Sequence, residues 1–172
     1  MSKSTRNKVY FTHAQSKNQI LILIEQINKA MNNRDFSVSF LVDQKPQQAY
    51  EAINNVRGWW RGEIEGSTDK LNDEFTYSYP PHHYSKHKLV EMVPGKKIVW
   101  LITDSSLNFI QDKTEWNGTK ISFDIAEKGG KTEVRFTHHG LVPKNECFNA
   151  CSNAWRGYIT DSLRNLIATI KA

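Results

Sequence analysis

Hydrophobic and polar positions alternate with a two-residue period through much of the middle of this chain. Phe36 to Val42 (FSVSFLV) puts Phe36, Val38, Phe40 and Val42 on one side, which predicts a half-buried strand. Glu63-Ile64-Glu65 predicts a short strand, and Glu74 to Tyr79 (EFTYSY) sets Phe75, Tyr77 and Tyr79 against Glu74, Thr76 and Ser78 before Pro80-Pro81 stops it. His83 to Val93 and Lys96 to Asp104 predict a longer pair around the turn signal Pro94-Gly95. A two-residue loop there pairs Leu89 with Trp100, His87 with Ile102 and Val90 with Val99, so both faces of the hairpin carry apolar residues and call for cover. Around Gly129-Gly130 the pairing is cleaner. Ile125 meets Val134, Phe123 meets Phe136 and Ile121 meets His138, while Ser122, Asp124, Arg135 and Thr137 share the other face. A one-residue slip destroys this agreement, so His138 is expected to point inward and His139 outward.

A helical period takes over at the C-terminus. From Asn145 to Ile170, residues Phe148, Cys151, Trp155, Tyr158, Leu163, Leu166, Ile167 and Ile170 fall on one stripe and predict a long amphipathic helix, with Gly157 a weak point where it can kink. Pro46 to Ile53 predicts a short helix burying Ala49, Tyr50 and Ile53. Asn54 to Trp60 predicts a turn into a second short helix, from which Trp60 rather than Trp59 faces inward. Ser105 to Gly118 is expected to connect strands, with a further short strand near Leu107 to Lys113 and Trp116 ahead of an Asn117-Gly118 turn. At the other end, residues 1–16 are polar and aperiodic and are expected to be disordered. Lys17 to Asn32 predicts a short helix with Ile20, Leu23, Ile24, Ile27 and Met31 along one side, suited to packing on the domain or a second chain, or to lying on a membrane surface. Met31 is an alternative start, because the organised pattern begins just after it.

The resulting order is strand, two short helices, about six strands, long helix. It predicts an α+β fold in which a curved antiparallel sheet of six or seven strands wraps a long C-terminal helix, with a cavity where the two do not quite meet. The 172 residues accommodate this domain over residues 35–172 plus a basic extension over residues 1–34. Six of the 23 Lys and Arg and one of the 18 Asp and Glu fall in residues 1–34, so 17 of each remain and the domain is neutral. A neutral domain argues against nucleic-acid binding. Only two cysteines occur, Cys147 and Cys151, four apart on the predicted helix where a disulfide is awkward, which fits a reducing, cytoplasmic setting. No apolar run approaches the roughly 20 residues of a membrane span.

Four stretches carry a family resemblance: FSVSFLVDQKPQQAYEAINNVRGWW at 36–60, EGSTDKLNDEFTY at 65–77, NFIQDKTEWNGTKISF at 108–123, and TEVRFTHHGLVPKNECFNACSNAWRGYITDSLRNL at 132–166. Together they resemble the START-like (SRPBCC) helix-grip superfamily, and more closely the bacterial relatives of the C-terminal domain of the heat-shock-protein-90 ATPase activator. The resemblance implies a helix-grip fold and either ligand binding or a co-chaperone-like contact with a chaperone. It brings no catalytic signature, and residues 1–35 are too short to supply the separate N-terminal domain of the eukaryotic co-chaperones.

Candidate site residues follow from composition and register. Trp60, Tyr77, Tyr79, Trp100, Phe123, Phe136, Trp155 and Tyr158 all have a claim to the space between sheet and helix. An ordinary core has the same composition, but Tyr, Trp and His tips need partners that a cavity with water or ligand supplies. For His138 a buried histidine satisfied by a backbone or tyrosine partner is the favoured reading over a ligand-orienting or general-base histidine, and it is also the first choice for a polar anchor of the pocket. The histidines and cysteines match no common metal spacing, and no cofactor motif, nucleophile elbow or phosphate loop is present. The expected function is binding of a small hydrophobic or aromatic molecule without identified chemistry, by a monomer or homodimer. The alternative is a protein-interaction module.

Overall fold

The computed structural model describes residues 13–171. The chain forms two compact units, Met1–Arg34 and Asp35–Ala172. In the first, helix α1 (His13–Asn32) begins four residues before the expected Lys17, and the rest of the expected disordered stretch, residues 1–12, lies outside the described residues. Ile20 to Ile24 and Ile27 are 47 to 58% exposed. Five consecutive apolar residues pass right around a helix of 3.6 residues per turn, so this segment is apolar on every side rather than along one stripe.

The second unit is a seven-stranded antiparallel sheet. Strands β2 (Glu63–Gly66), β3 (Glu74–Tyr79), β4 (His83–Val93), β5 (Lys97–Leu107), β6 (Lys120–Lys128) and β7 (Lys131–His139) follow one another as a meander. β1 (Phe36–Val42) lies beside β7, giving the order β1-β7-β6-β5-β4-β3-β2. The β6–β7 register is the expected one, with Ile121 opposite His138, Phe123 opposite Phe136 and Ile125 opposite Val134. On the β4–β5 hairpin, Leu89 faces Trp100 and His87 faces Ile102 as expected. Nearer the turn the pairing differs: Glu91, not Val90, faces Val99, because the loop holds three residues and Val90 is bulged out. A second register shift near Thr103 reverses the first, so the buried positions of β5 change from Ile98, Trp100 and Ile102 to Ser105 and Leu107. The expected strand from Leu107 to Lys113 is a folded-back loop instead, closed by the Leu107 amide donating to the Lys113 carbonyl at 2.9 Å.

Helix α2 (Pro46–Asn54) buries Ala49, Tyr50, Ala52 and Ile53, and its first turn is tied by the Lys45 amide donating to Gln48 Oε1 at 2.9 Å. The second short helix is a single 3₁₀ turn, Val56–Gly58. Trp59 and Trp60 that follow are both buried, contrary to the expectation of one. They lie in irregular backbone, where successive side chains need not oppose one another, and their rings stack at 6.0 Å.

The C-terminal helix runs 21 residues as α3 (Phe148–Gly157), a π-helical turn (Tyr158–Leu163) and α4 (Arg164–Ala168). Its inward residues Cys151, Trp155, Ile159, Leu163 and Ile167 recur every fourth position. In a pure α-helix each such step overshoots by about 40°, so four steps would carry Ile167 about 160° from Cys151. The wider π turn takes out that drift and keeps all five against the sheet.

Candidate ligand-binding site

A cavity of about 270 Å³ opens at one end of the sheet, where the β3–β4 turn, the loop after β5 and α3 come together. Trp60, Tyr77, His83, Trp116 and Trp155 wall it as a closed circuit of ring contacts. Trp60 stacks on Tyr77 with centroids 4.1 Å apart, and Tyr77 meets the His83 ring edge-on at 5.0 Å. His83 meets Trp116 at 4.7 Å, Trp116 stacks on Trp155 at 5.8 Å, and Trp155 returns to Trp60 at 4.8 Å. Tyr158, the first residue of the π turn, also lines the space. The mouth lies between exposed Tyr79, His82 and Phe109 on one side and the small residues Ala150 and Ala154 of α3 on the other.

The wall is held by reciprocal carboxylate caps. Glu115, next to Trp116, accepts from the amides of Glu146 and Cys147 at 2.6 and 3.0 Å, satisfying donors at the start of the C-terminal helix. Glu146 in turn accepts from the amides of Gln111 and Asp112 in the loop that carries Phe109. Trp116 donates its indole N–H to Cys147 Sγ at 3.2 Å. The Cys147 thiol is pushed up by its hydrogen bond with Cys151 and by burial, so it is a neutral packing group rather than a nucleophile.

Of the nine expected site residues, Trp60, Tyr77, Tyr79, Trp155 and Tyr158 line the cavity. Trp100, Phe123, Phe136 and His138 lie behind it in the solid core, each fully buried. Trp100 packs edge-on against Phe123 at 5.1 Å, and Phe123 against Phe136 at 5.4 Å, leaving no space for a guest between them. His138 is saturated by its neighbours. Trp155 donates to its Nδ1 at 3.1 Å, so the proton sits on Nε2, which donates to Thr119 Oγ1 at 2.9 Å, and Thr119 passes its own proton to the Trp116 carbonyl at 2.6 Å. Burial holds the His138 imidazole down to about 3, so it is neutral and orients Trp155.

The polar group on the wall is instead His83, pushed down to about 4 by burial. Its Nε2 lies 3.2 Å from Ser85 Oγ, which lies 2.8 Å from Nε2 of the fully buried His87. The His87 imidazole is held well below its ordinary value, first by burial and then by His83 and His138. The phenol of Tyr77 is pushed up by burial and by the neighbouring Tyr158. Among the described residues that line the cavity none is Asp, Glu, Lys or Arg. Nor is any group of three His, Cys, Asp or Glu among the described residues placed to hold a metal ion. The arrangement therefore offers an apolar, aromatic slot with neutral hydrogen-bonding tips. His83, Trp116, Phe109 and Cys151 were not among the expected site residues. His83 had a signal in the sequence, since positions 83, 85 and 87 share one face of β4.

Residues 45–168 match the model of the family described as "Activator of Hsp90 ATPase homolog 1-like protein". The chain belongs to that family. Solved structures similar in fold to this member include the solution structure of the Aha1 dimer from Colwellia psychrerythraea. It is 20% identical, with a TM-score of 0.64 over 81% of this chain and 99% of that one. The crystal structure of protein MLL2253 from Mesorhizobium loti is 12% identical, with a TM-score of 0.64 over 81% and 100% of the two chains. The Mll3558 protein from Rhizobium loti is 16% identical, with a TM-score of 0.59 over 77% and 96%. No curated protein matches the chain. At these identities the likeness establishes the START-like helix-grip fold of this Activator of Hsp90 ATPase homolog 1-like member, and function rests on the site itself.

Proposed function

We propose that the chain is a binding protein for a small, largely apolar aromatic molecule held in the cavity beside α3. The observation that supports this reading is the closed circuit of five aromatic rings around a space of about 270 Å³ that opens to solvent past Ala150 and Ala154. Cavities of about 150 Å³ lined by apolar side chains take benzene, so this volume suits a guest of one or two rings. Burial against Trp60, Trp116 and Trp155 supplies the affinity, and hydrogen-bonding tips set the orientation. A general acid and base poised near neutral pH would favour an enzyme, but His83 is neutral and, among the described residues, no carboxylate lies on the wall.

The test is a titration with naphthalene followed by tryptophan emission, in the wild type and in Ala154→Phe. The wild type is expected to give a saturable change, and Ala154→Phe, which fills the mouth from an exposed position, to weaken it at least ten-fold. A wild type with no saturable response ends this reading.

A contact role toward a chaperone or another copy is the second reading. It draws on the exposed apolar residues of α1 and on the family's name, and a related structure is described as a dimer. It stands alone if the titration fails.

A further inference from the structure

The relay of His83, Ser85 and His87 runs from the cavity wall into the core, and neither packing nor the binding reading alone accounts for it. Three polar side chains at alternate positions of β4 lie on the buried face of a strand, where apolar residues would pack at lower cost. His83 is wedged edge-on between Tyr77 and Trp116, so its ring position is set before any ligand arrives. Phe75 stacks on His87 at 4.7 Å and holds the far end.

Ser85 has one hydroxyl proton, so it donates to one histidine and accepts from the other. Nδ1 of His87 is sealed in the core without a partner. In one arrangement His87 donates to Ser85, Ser85 donates to His83 Nε2, and His83 carries its proton on Nδ1. In the other every bond reverses and His83 Nδ1 is a lone pair. In both cases Nδ1 of His83 has no partner among the described residues, and it is not one of the sealed atoms. The Tyr77 hydroxyl is less available, because Tyr158 and Trp60 lie beside its phenol, and Tyr79 stands exposed at the mouth rather than on the inner wall.

We propose that His83 anchors the ligand of this cavity and selects a neutral aromatic molecule carrying one hydroxyl group, with Ser85 and His87 as positioning residues. The proposal rests on the binding function set out above. A hydroxyl both donates and accepts, so it answers His83 in either arrangement of the relay, whereas a carbonyl answers only one. A carboxylate would enter a wall without Lys or Arg, beside a histidine that burial keeps uncharged, and would lose its hydration without a counter-charge.

The experiment compares naphthalene, 2-naphthol and 2-naphthoate as probes by tryptophan emission and calorimetry. In the wild type, 2-naphthol is expected to bind at least five-fold more tightly than naphthalene, and 2-naphthoate more weakly than either. The preference for 2-naphthol over naphthalene should fall to about one in His83→Phe and at least three-fold in Ser85→Ala. Nitrogen NMR of the wild type gives a readout independent of folding in the variants. 2-Naphthol should move the His83 Nδ1 resonance and naphthalene should not. Equal affinities for naphthol and naphthalene, tightest binding of naphthoate, a preference that survives His83→Phe, or an unmoved Nδ1 resonance overturns the proposal while leaving the cavity reading intact. Failure of naphthalene itself to bind ends both.

Discussion

His83, His87 and His138 are three imidazoles kept neutral inside one small domain, each held below its ordinary value of 6.5, to about 4 for His83 and about 3 for His138. An unfolded chain takes up a proton at each as pH falls through 6.5, while in the folded chain His83 waits until about pH 4 and His138 until about pH 3, with His87 also held well below its ordinary value. Stability is therefore fully present above pH 6.5 and is lost as pH falls, with a limiting slope of about 4 kcal/mol per pH unit for the three together. The lowered carboxyls of Asp73, Glu74 and Glu133, whose ordinary values are 3.8, 4.5 and 4.5, act in the same direction at the acid end of this window. Urea unfolding between pH 7.5 and 5 checks this. His138→Leu should cost about 2 kcal/mol at pH 7.5, because the Trp155 N–H loses its acceptor, and should reduce the acid slope by about a third. An unchanged slope would mean that His138 already charges in the folded state. The inward placement of His138 was readable from the β6–β7 pairing, and a satisfied imidazole was the favoured reading, but its partners are Trp155 and Thr119 rather than backbone or tyrosine. Nothing in a linear pattern says that Trp155 and Thr119, 17 and 19 positions away, supply both partners.

At the scale of elements, strict alternation is what makes a strand legible. β6 and β7 keep a two-residue period without interruption, so their register follows from composition alone. β4 and β5 do not, because each carries an inserted residue, and a bulge at Val90 or Thr103 leaves no local signature in the residues themselves. The C-terminal helix was legible as a stripe, yet the expected kink at Gly157 is instead a π turn starting one residue later. Its spacing carried the hint: a repeat of four over Cys151 to Ile167 suits no straight α-helix. A length change tests this. Deleting exposed Asp161 lets the π turn relax to α-helix while Leu163 and Ile167 stay inward, so the melting temperature should fall by only a few degrees. Inserting one alanine after Asp161 swings both residues about 100° away from the sheet and should cost about 4 kcal/mol, enough to unfold much of the population. Similar losses for the two would argue against the π turn as the device that sets the register.

Over the whole molecule, the solid core and the cavity occupy different places. The solid aromatic packing of Trp59, Trp100, Phe123 and Phe136 fills the middle of the sheet, and the cavity opens only where the β3–β4 turn meets α3. Sequence reasoning found the shared aromatic population but could not divide it, because a core tryptophan and a wall tryptophan have the same surroundings on three sides. Phe123→Ala should therefore cost about 3–5 kcal/mol of stability. The affinity of the remaining folded protein for naphthalene should change less than three-fold, with denaturant midpoint and titration measured on the same sample. A parallel loss of affinity would mean that the two regions are mechanically one.

The paired carboxylates at Glu115 and Glu146 lash the Phe109 loop and the α3 terminus to each other through main-chain amides, with the Trp116–Cys147 bond beside them. Side chains around the doorway carry none of that tether. Doorway residues such as Tyr79, Phe109, Ala150 and Ala154 are thus free to be exchanged for others, and a laboratory library or a diverging lineage can reshape the opening while the frame behind it stays as it is.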